Sequence, residues 1–183
     1  QPVYEISDIC KKYGVPLIID CSQSAGCLDI DQSRLNAAFL CMPGHKGLMG
    51  PQGTGVLVCG SADKKPLLFG GTGSVSELMS MPDFLPDRLE AGTPNTPGIY
   101  GLSKGVEYIL EKGTENIYSH ERALVSYLKR GIGSLTNIKG YFSEYDNQCG
   151  VVSVNHTKTG CEDFASLLDR HGIAVRAGLH CSP

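Results

Sequence analysis

The stretch AAFLCMPGHKGLMGPQGTGVLVC, residues 37–59, sets two apolar runs around a glycine-rich turn that carries a histidine and a lysine. The runs Ala37-Ala38-Phe39-Leu40-Cys41 and Gly55-Val56-Leu57-Val58-Cys59 have the composition of buried strands. His45 and Lys46 sit between them, inside Pro43-Gly44-His45-Lys46-Gly47-Leu48-Met49-Gly50-Pro51. A lysine leaving the end of a buried strand is costly unless it is paired, solvated or used covalently. Desolvation lowers a lysine's pKa, and the neutral amine can then form an imine with an aldehyde. The same spacing also suits a surface-loop lysine beside a histidine.

Upstream, Val15-Pro16-Leu17-Ile18-Ile19-Asp20 has the pattern of a buried parallel strand ending in a carboxylate. Ligands of open α/β sheets gather at such strand ends. A carboxylate there can pair with a protonated pyridine nitrogen and keep the ring an electron acceptor, as pyridoxal phosphate (PLP) requires. Asp20 alone equally suits a turn or a helix cap. Asp20-Cys21-Ser22-Gln23 followed by the lysine loop is a stronger signal. Gln23 could donate to the phenolic oxygen of PLP, and its amide could equally cap a turn.

Further out, Ile6, Ile9, Cys10 and Tyr13 have helical spacing, with Gly14 as the C-cap. Residues 28–36 form a polar connection with a short turn. Residues 60–98 are rich in Gly, Pro, Ser and Thr, punctuated by Gly70-Gly71-Thr72-Gly73-Ser74 and Glu90-Ala91-Gly92-Thr93-Pro94-Asn95-Thr96-Pro97. A loop that long inside a domain is functional or disordered, and its small residues and hydroxyls favour function. Ile99, Leu102, Val106, Ile109 and Leu110 make one face of a helix ended by Gly113. A second helix follows with Ile117, Leu124, Leu128 and Ile132 inward. Short strands are expected near 137–143 and 150–154, then a helix marked by Phe164, Leu167 and Leu168 and stopped by Gly172. Ile173-Ala174-Val175 has the pattern of a last strand. The order of helices and strands predicts an α/β layer architecture. The change of pattern near 113 predicts two parts, 1–112 and 113–183.

The chain has 183 residues, 41% hydrophobic and 19% charged, with a formal net charge of −3. Basic residues are scattered rather than gathered in a stripe, which argues against nucleic acid or an anionic membrane as partner. No apolar run approaches the length that spans a bilayer, and no signal peptide opens the chain. The eight cysteines form no C-x-x-C pair. Free thiols in a reducing cytosol fit better than a metal site or a disulfide scaffold, so no metal is expected. Neither glycine-rich stretch matches a phosphate-loop or dinucleotide pattern. Gln1-Pro2 opens abruptly and Pro183 follows a cysteine-bearing loop, as expected of an internal-to-C-terminal piece of a longer protein.

Four segments together resemble the class V aminotransferases, fold-type-I PLP enzymes, and especially their cysteine desulfurase and selenocysteine lyase branch. They are Leu17-Ile18-Ile19-Asp20-Cys21-Ser22-Gln23-Ser24-Ala25-Gly26, Gly44-His45-Lys46-Gly47-Leu48-Met49-Gly50-Pro51-Gln52-Gly53, Glu90-Ala91-Gly92-Thr93-Pro94-Asn95, and Val175-Arg176-Ala177-Gly178-Leu179-His180-Cys181. The resemblance implies an α/β fold: the C-terminal part of a large PLP-binding domain in 1–112, and part of a smaller C-terminal α+β domain in 113–183. It implies that Lys46 carries the cofactor and shuttles the α-proton. His45 would be a phosphate ligand, Asp20 the pyridinium partner and Gln23 the ligand of the ring hydroxyl. Thr93 would reach the phosphate across a homodimer interface, with Gly71-Thr72-Gly73 near that interface. Arg176 and His180 would flank the substrate, L-cysteine or L-selenocysteine. Cys181 would be the nucleophile that takes up sulfur as a persulfide and passes it to an acceptor protein, with L-alanine released. A cytoplasmic setting follows from the same likeness. Another class V aminotransferase or lyase would use Asp20 and Lys46 without Cys181, and a truncated non-catalytic paralogue would only dimerise. Two positions depart from the family pattern. Pro43 stands where many relatives carry a phosphate-binding serine, and Leu179 where some carry a second histidine.

Overall fold

The computed structural model describes every residue except 62–63, 76, 144–147 and 181–183. The chain folds as two compact units, Gln1–Ile117 and Tyr118–Pro183.

The first unit opens with α1 (Val3–Tyr13), ended by Gly14 in the left-handed conformation at φ 65°. The N–H groups of Gly14 and Val15 turn back onto the carbonyls of Lys11 and Cys10, which satisfies the last turn. The helix expected here is present, but its inward face differs from the expected one. Ile6, Ile9 and Tyr13 are exposed, whereas Ser7 is buried and Val3 and Tyr4 pack against the core. The Ser7 hydroxyl donates to the Leu35 carbonyl, and that bond selects the face of α1 that turns inward. Leu35 closes the short helix α2 (Gln32–Leu35), whose cap is Asp31 accepting from the Ser33 and Arg34 N–H groups.

The sheet of this unit contains β1 (Ile18–Asp20), β2 (Phe39–Pro43) and β3 (Gly55–Cys59), in the order β1-β2-β3. β1 runs parallel to β2, with Asp20 opposite Cys41. β2 and β3 are antiparallel, with Pro43 opposite Gly55. Strand residues alternate between faces. Ile19, Leu40, Met42 and Val58 therefore share one face and join the core with Cys21, Ala25, Leu35, Ala37, Leu48, Leu102 and Ile109. The other face carries Ile18, Asp20, Phe39, Cys41, Leu57 and Cys59. The strands expected to be buried are thus covered on one face only: Ile18 is 63% exposed and Leu57 is 49% exposed. β1 is also shorter than the 15–20 run, because Val15, Pro16 and Leu17 lie outside the ladder.

The described residues between β3 and residue 95 carry no helix or strand, as the run of Gly, Pro and Ser implies. Asn95 then caps α3 (Thr96–Lys112), its side-chain oxygen accepting from the Gly98 N–H at 3.1 Å. The inward positions of α3 are Gly98, Leu102, Gly105 and Ile109. Ile99 and Leu110, expected inward, are exposed. Having no side chains, the two glycines let the helix pack closely on that side, so α3 is rotated relative to the all-aliphatic face.

α4 (Thr114–Gly133) follows directly and carries the boundary between the two units. In the second unit Ile132 is buried, while Leu124 and Leu128 are exposed, contrary to the expected inward face. β4 (Ile138–Tyr141) and β5 (Ser153–His156) pair antiparallel. α5 (Cys161–Arg170) lies against β5, with the His156 and Phe164 rings 5.4 Å apart. Gly172, at φ 73°, ends that helix as expected. Residues 173–175 form no strand and are exposed, which corrects the expectation for that run. A β-branched residue pattern makes a strand only where a neighbour offers a ladder.

Candidate functional site

Lys46 is placed by a turn that its own backbone closes. The Gly44 N–H donates to the Thr54 carbonyl at 2.8 Å, the Gly50 N–H to the Gly44 carbonyl at 2.7 Å, and the Met49 N–H to the Lys46 carbonyl at 2.9 Å. Leu48 points into the core from this turn. The turn is clamped from two sides by glycines. A Cβ at Gly47 would lie 2.1 Å from the Ala25 carbonyl oxygen, and one at Gly26 would lie 2.1 Å from the Gly47 carbonyl oxygen. From the helix side, a Cβ at Gly105 of α3 would lie 2.3 Å from the Leu48 carbonyl oxygen. Only glycine permits backbones to meet so closely. The segment after Asp20 and the lysine turn are therefore locked together, main chain on main chain.

Asp20 ends β1 and starts a run of turns over residues 22–27. Its carboxylate accepts from the Ser22 N–H at 2.8 Å, the geometry of an Asx-turn. The Ser22 side chain beside it is the largest influence holding the Asp20 carboxyl below its usual range. The Ser22 amide adds to this lowering, burial opposes it, and the charge on Lys46 acts in the same direction as the bonds. The turn role and the ring-pairing role named for Asp20 are thus compatible, since both need an ionised carboxylate. Next to it, burial pushes the Cys21 thiol up, against a bond with Ser24, so this cysteine is a packed thiol rather than a nucleophile.

A cavity of about 630 Å³ lies on the uncovered face of the sheet. Asp20, Ser22, Cys41, Pro43 and Cys59 line it from the sheet side, and Leu85, Leu89 and Glu90 from the loop that follows. Pro43 brings no hydroxyl to this wall. Lys46, His45 and Gln23 are exposed and are not part of the lining. Lys46 is exposed, in keeping with the surface-loop alternative: the turn projects beyond the end of the strand, and none of the described residues of 1–117 covers it.

Asp20 and Ser22 share one turn, and the Lys46 charge is the smallest influence on the Asp20 carboxyl. The structure also joins the two glycine-rich stretches of the long loop, because the Gly92 N–H donates to the Gly71 carbonyl at 2.9 Å. Thr93 is exposed beside that bond, and the Thr72 and Ser74 hydroxyls lie 2.9 Å apart in the same loop. Arg176 and His180 are exposed residues of the second unit, and His180 has a positive φ of 56°. Cys181 lies outside the described residues. The sequence reading missed the part played by Ser22. Its signal was the Asp-x-Ser spacing, which favours a side-chain-capped turn. The glycine clamp was also missed, although both members lie in the quoted segments.

The donor set fits PLP. An ionised carboxylate at a strand end suits the ring nitrogen, and the charge of Lys46 acts on that carboxylate. His45 neighbours Lys46 on the same clamped turn. Among the described residues no group of three or more His, Cys, Asp or Glu side chains could hold a metal ion. No described helix is long and apolar enough to cross a membrane.

Comparison with known proteins agrees with this geometry. The aminotransferase class-V family model matches residues 1–183. A probable cysteine desulfurase from Pyrococcus abyssi is 39% identical over 189 residues, covering 98% of this chain and 46% of the relative. The apo structure of a cysteine desulfurase from Thermococcus onnurineus NA1 superposes with a TM-score of 0.87 at 34% identity, covering 99% of this chain and 46% of the other. A C-DES mutant structure with glycine covalently linked to its PLP cofactor superposes with a TM-score of 0.80 at 25% identity, covering 96% of this chain and 48% of the other. The chain therefore spans about half the length of the relatives it matches.

Proposed function

The chain belongs to the aminotransferase class-V family, and from that premise we propose that it is part of a PLP-dependent cysteine desulfurase-like enzyme. The observation that supports this reading is the glycine-clamped backbone contact that holds the segment after Asp20 against the turn bearing Lys46. The names of its relatives support it.

When bound, PLP supplies an electron-accepting ring. Asp20 would pair with the ring nitrogen and keep it protonated. Gln23 would donate to the ring hydroxyl, and His45 and Thr93 would hold the phosphate, Thr93 from the second subunit of a homodimer. Lys46 would carry the cofactor and move the proton at the substrate's α carbon. Arg176 and His180 flank the substrate, L-cysteine or L-selenocysteine. The carbon–sulfur bond of cysteine breaks, its sulfur joins the Cys181 thiolate as a persulfide, and a proton takes its place on carbon to leave L-alanine. An acceptor protein then takes the sulfur. Residues 1–112 contribute to the large cofactor-binding domain and 113–183 to the smaller one, and the enzyme works in the cytoplasm.

Borohydride reduction of the native full-length protein, followed by peptide mass spectrometry, tests the reading. A phosphopyridoxyl adduct on Lys46 is the expected result. An unmodified Lys46 in protein that has been supplied with PLP overturns it.

A further inference from the structure

We infer that Met49 is the positioning residue of Lys46, and that it acts through its main chain rather than its side chain. Among the described residues, those other than glycine with a positive φ are Asn36, Met49 and His180. Asparagine and histidine are types enriched in that region, and methionine is not. Met49 nevertheless stands at φ 57°. Its own N–H donates to the Lys46 carbonyl at 2.9 Å, and the next N–H, that of Gly50, donates to the Gly44 carbonyl at 2.7 Å. The chain therefore reverses at Met49 and closes a ring of main chain from Gly44 to Gly50, with His45 and Lys46 inside it. An extended residue at position 49 would turn the Gly50 N–H away from Gly44.

The surroundings hold this conformation on both sides of residue 49. Leu48 is buried and anchors the turn in the core. A Cβ at Gly105 of α3 would lie 2.3 Å from the Leu48 carbonyl oxygen and 2.9 Å from both the carbonyl carbon and the carbonyl oxygen of Met49. A Cβ at Gly50 would lie 2.7 Å from Leu102 Cδ1. The peptide that follows Met49 is thus seated on bare helix backbone. The Met49 side chain, in contrast, is 49% exposed. A strained conformation persists only where the packing around it over-determines it. Here the packing fixes the backbone of residue 49 and leaves the side chain aside. The left-handed turn, and not the thioether, therefore sets where Lys46 leaves the sheet. That Lys46 carries PLP rests on the reading above, whereas the hold of residue 49 on the turn does not.

The test uses the full-length protein with Met49→Asn and Met49→Ile, and with Ser7→Ala as a control that weakens the same unit elsewhere. Amide hydrogen exchange of the PLP-free protein reads the Gly50 N–H directly. In protein loaded with PLP, the pH midpoint of the visible absorbance band reads the surroundings of the Lys46 amine. Asparagine tolerates the left-handed conformation, and a β-branched residue resists it. Met49→Ile is expected to lower the protection of the Gly50 amide roughly fivefold or more and to move the band midpoint. Met49→Asn is expected to leave both near the parent values, although isoleucine is the closer match to methionine in size and polarity. Ser7→Ala is expected to leave the band midpoint in place. Protection or a band midpoint unmoved by Met49→Ile, or changed equally by both variants, overturns the assignment. So does a midpoint that moves as far in Ser7→Ala as in Met49→Ile. If Met49→Ile does not fold, Met49→Asn decides: kept protection supports the assignment and lost protection overturns it. A parent protein that binds no PLP defeats the cofactor reading alone, and the amide protection still decides the role of Met49.

Discussion

Substituting Gly26 by alanine tests the clamp that joins the Asp20 segment to the lysine turn. The new Cβ would sit 2.1 Å from the Gly47 carbonyl oxygen and 2.7 Å from its carbon. Both atoms are backbone, so neither can swing aside as a side chain would. Overpacking of this kind costs about 1–3 kcal/mol. Gly26 also has a φ of 89°, which adds about 1–2 kcal/mol for a residue with a Cβ. The expected loss is about 2–5 kcal/mol, a large share of the ~5–15 kcal/mol that holds a typical domain together. Gly53 supplies the control. Its φ is 76°, yet nothing lies within 4 Å of its would-be Cβ, so Gly53→Ala bears the backbone term alone. At roughly 2–4 °C per kcal/mol for a domain of this size, Gly26→Ala should lower the thermal midpoint by about 4–20 °C and Gly53→Ala by about 2–8 °C. Circular dichroism melts of the two variants of the full-length protein make the comparison. Equal losses would show that the Gly26–Gly47 contact is absent in solution, and the argument for a locked carboxylate and amine would fail with it.

Ser7→Ala removes the donor from the buried Leu35 carbonyl and should cost about 1–3 kcal/mol in urea unfolding, with an unchanged midpoint arguing that α1 is not anchored there. Asn95→Ala removes the cap of α3 and should cost about 1 kcal/mol, measured in the same way. The folded Asp20 carboxyl is lowered relative to the unfolded chain, so its contribution is complete above the usual aspartate range and is lost as pH falls through its folded value. Asp20→Asn should therefore flatten the acid limb of the stability profile and leave stability relative to the parent closer at low pH than at neutral pH, and a gap that stays constant across this range would contradict the lowered value. Cys181→Ala in the full-length enzyme should abolish sulfide release from L-cysteine while PLP remains bound, and retained desulfuration would remove Cys181 as the nucleophile.

The legible part of the site was chemical. An amine on a glycine-rich turn and a carboxylate at a strand end can be named from residue order, because those groups and their strands are local in sequence. The helices were legible for the same reason: a 3.6-residue period, Gly14 and Gly172 all act within a turn or two. The faces were not. In α1 the period allowed Ile6 and Ile9 to face inward, but the bond from Ser7 to a carbonyl 28 residues away turned the other side to the core. In α3 the inward residues include two glycines, which no apolar pattern marks. The run at 173–175 had strand composition, yet it pairs with no strand among the described residues.

Residue order by itself determined which reactive groups exist here and which segments coil or extend, since capping, periodicity and side-chain chemistry depend on near neighbours. Tertiary structure alone decided that Gly26 and Gly47 touch, that Ser22 and Asp20 share a cavity wall, and that Lys46 stands exposed beyond the sheet. These outcomes depend on contacts between segments distant along the chain. Local preference limits such contacts, but only close packing of the whole unit selects among them.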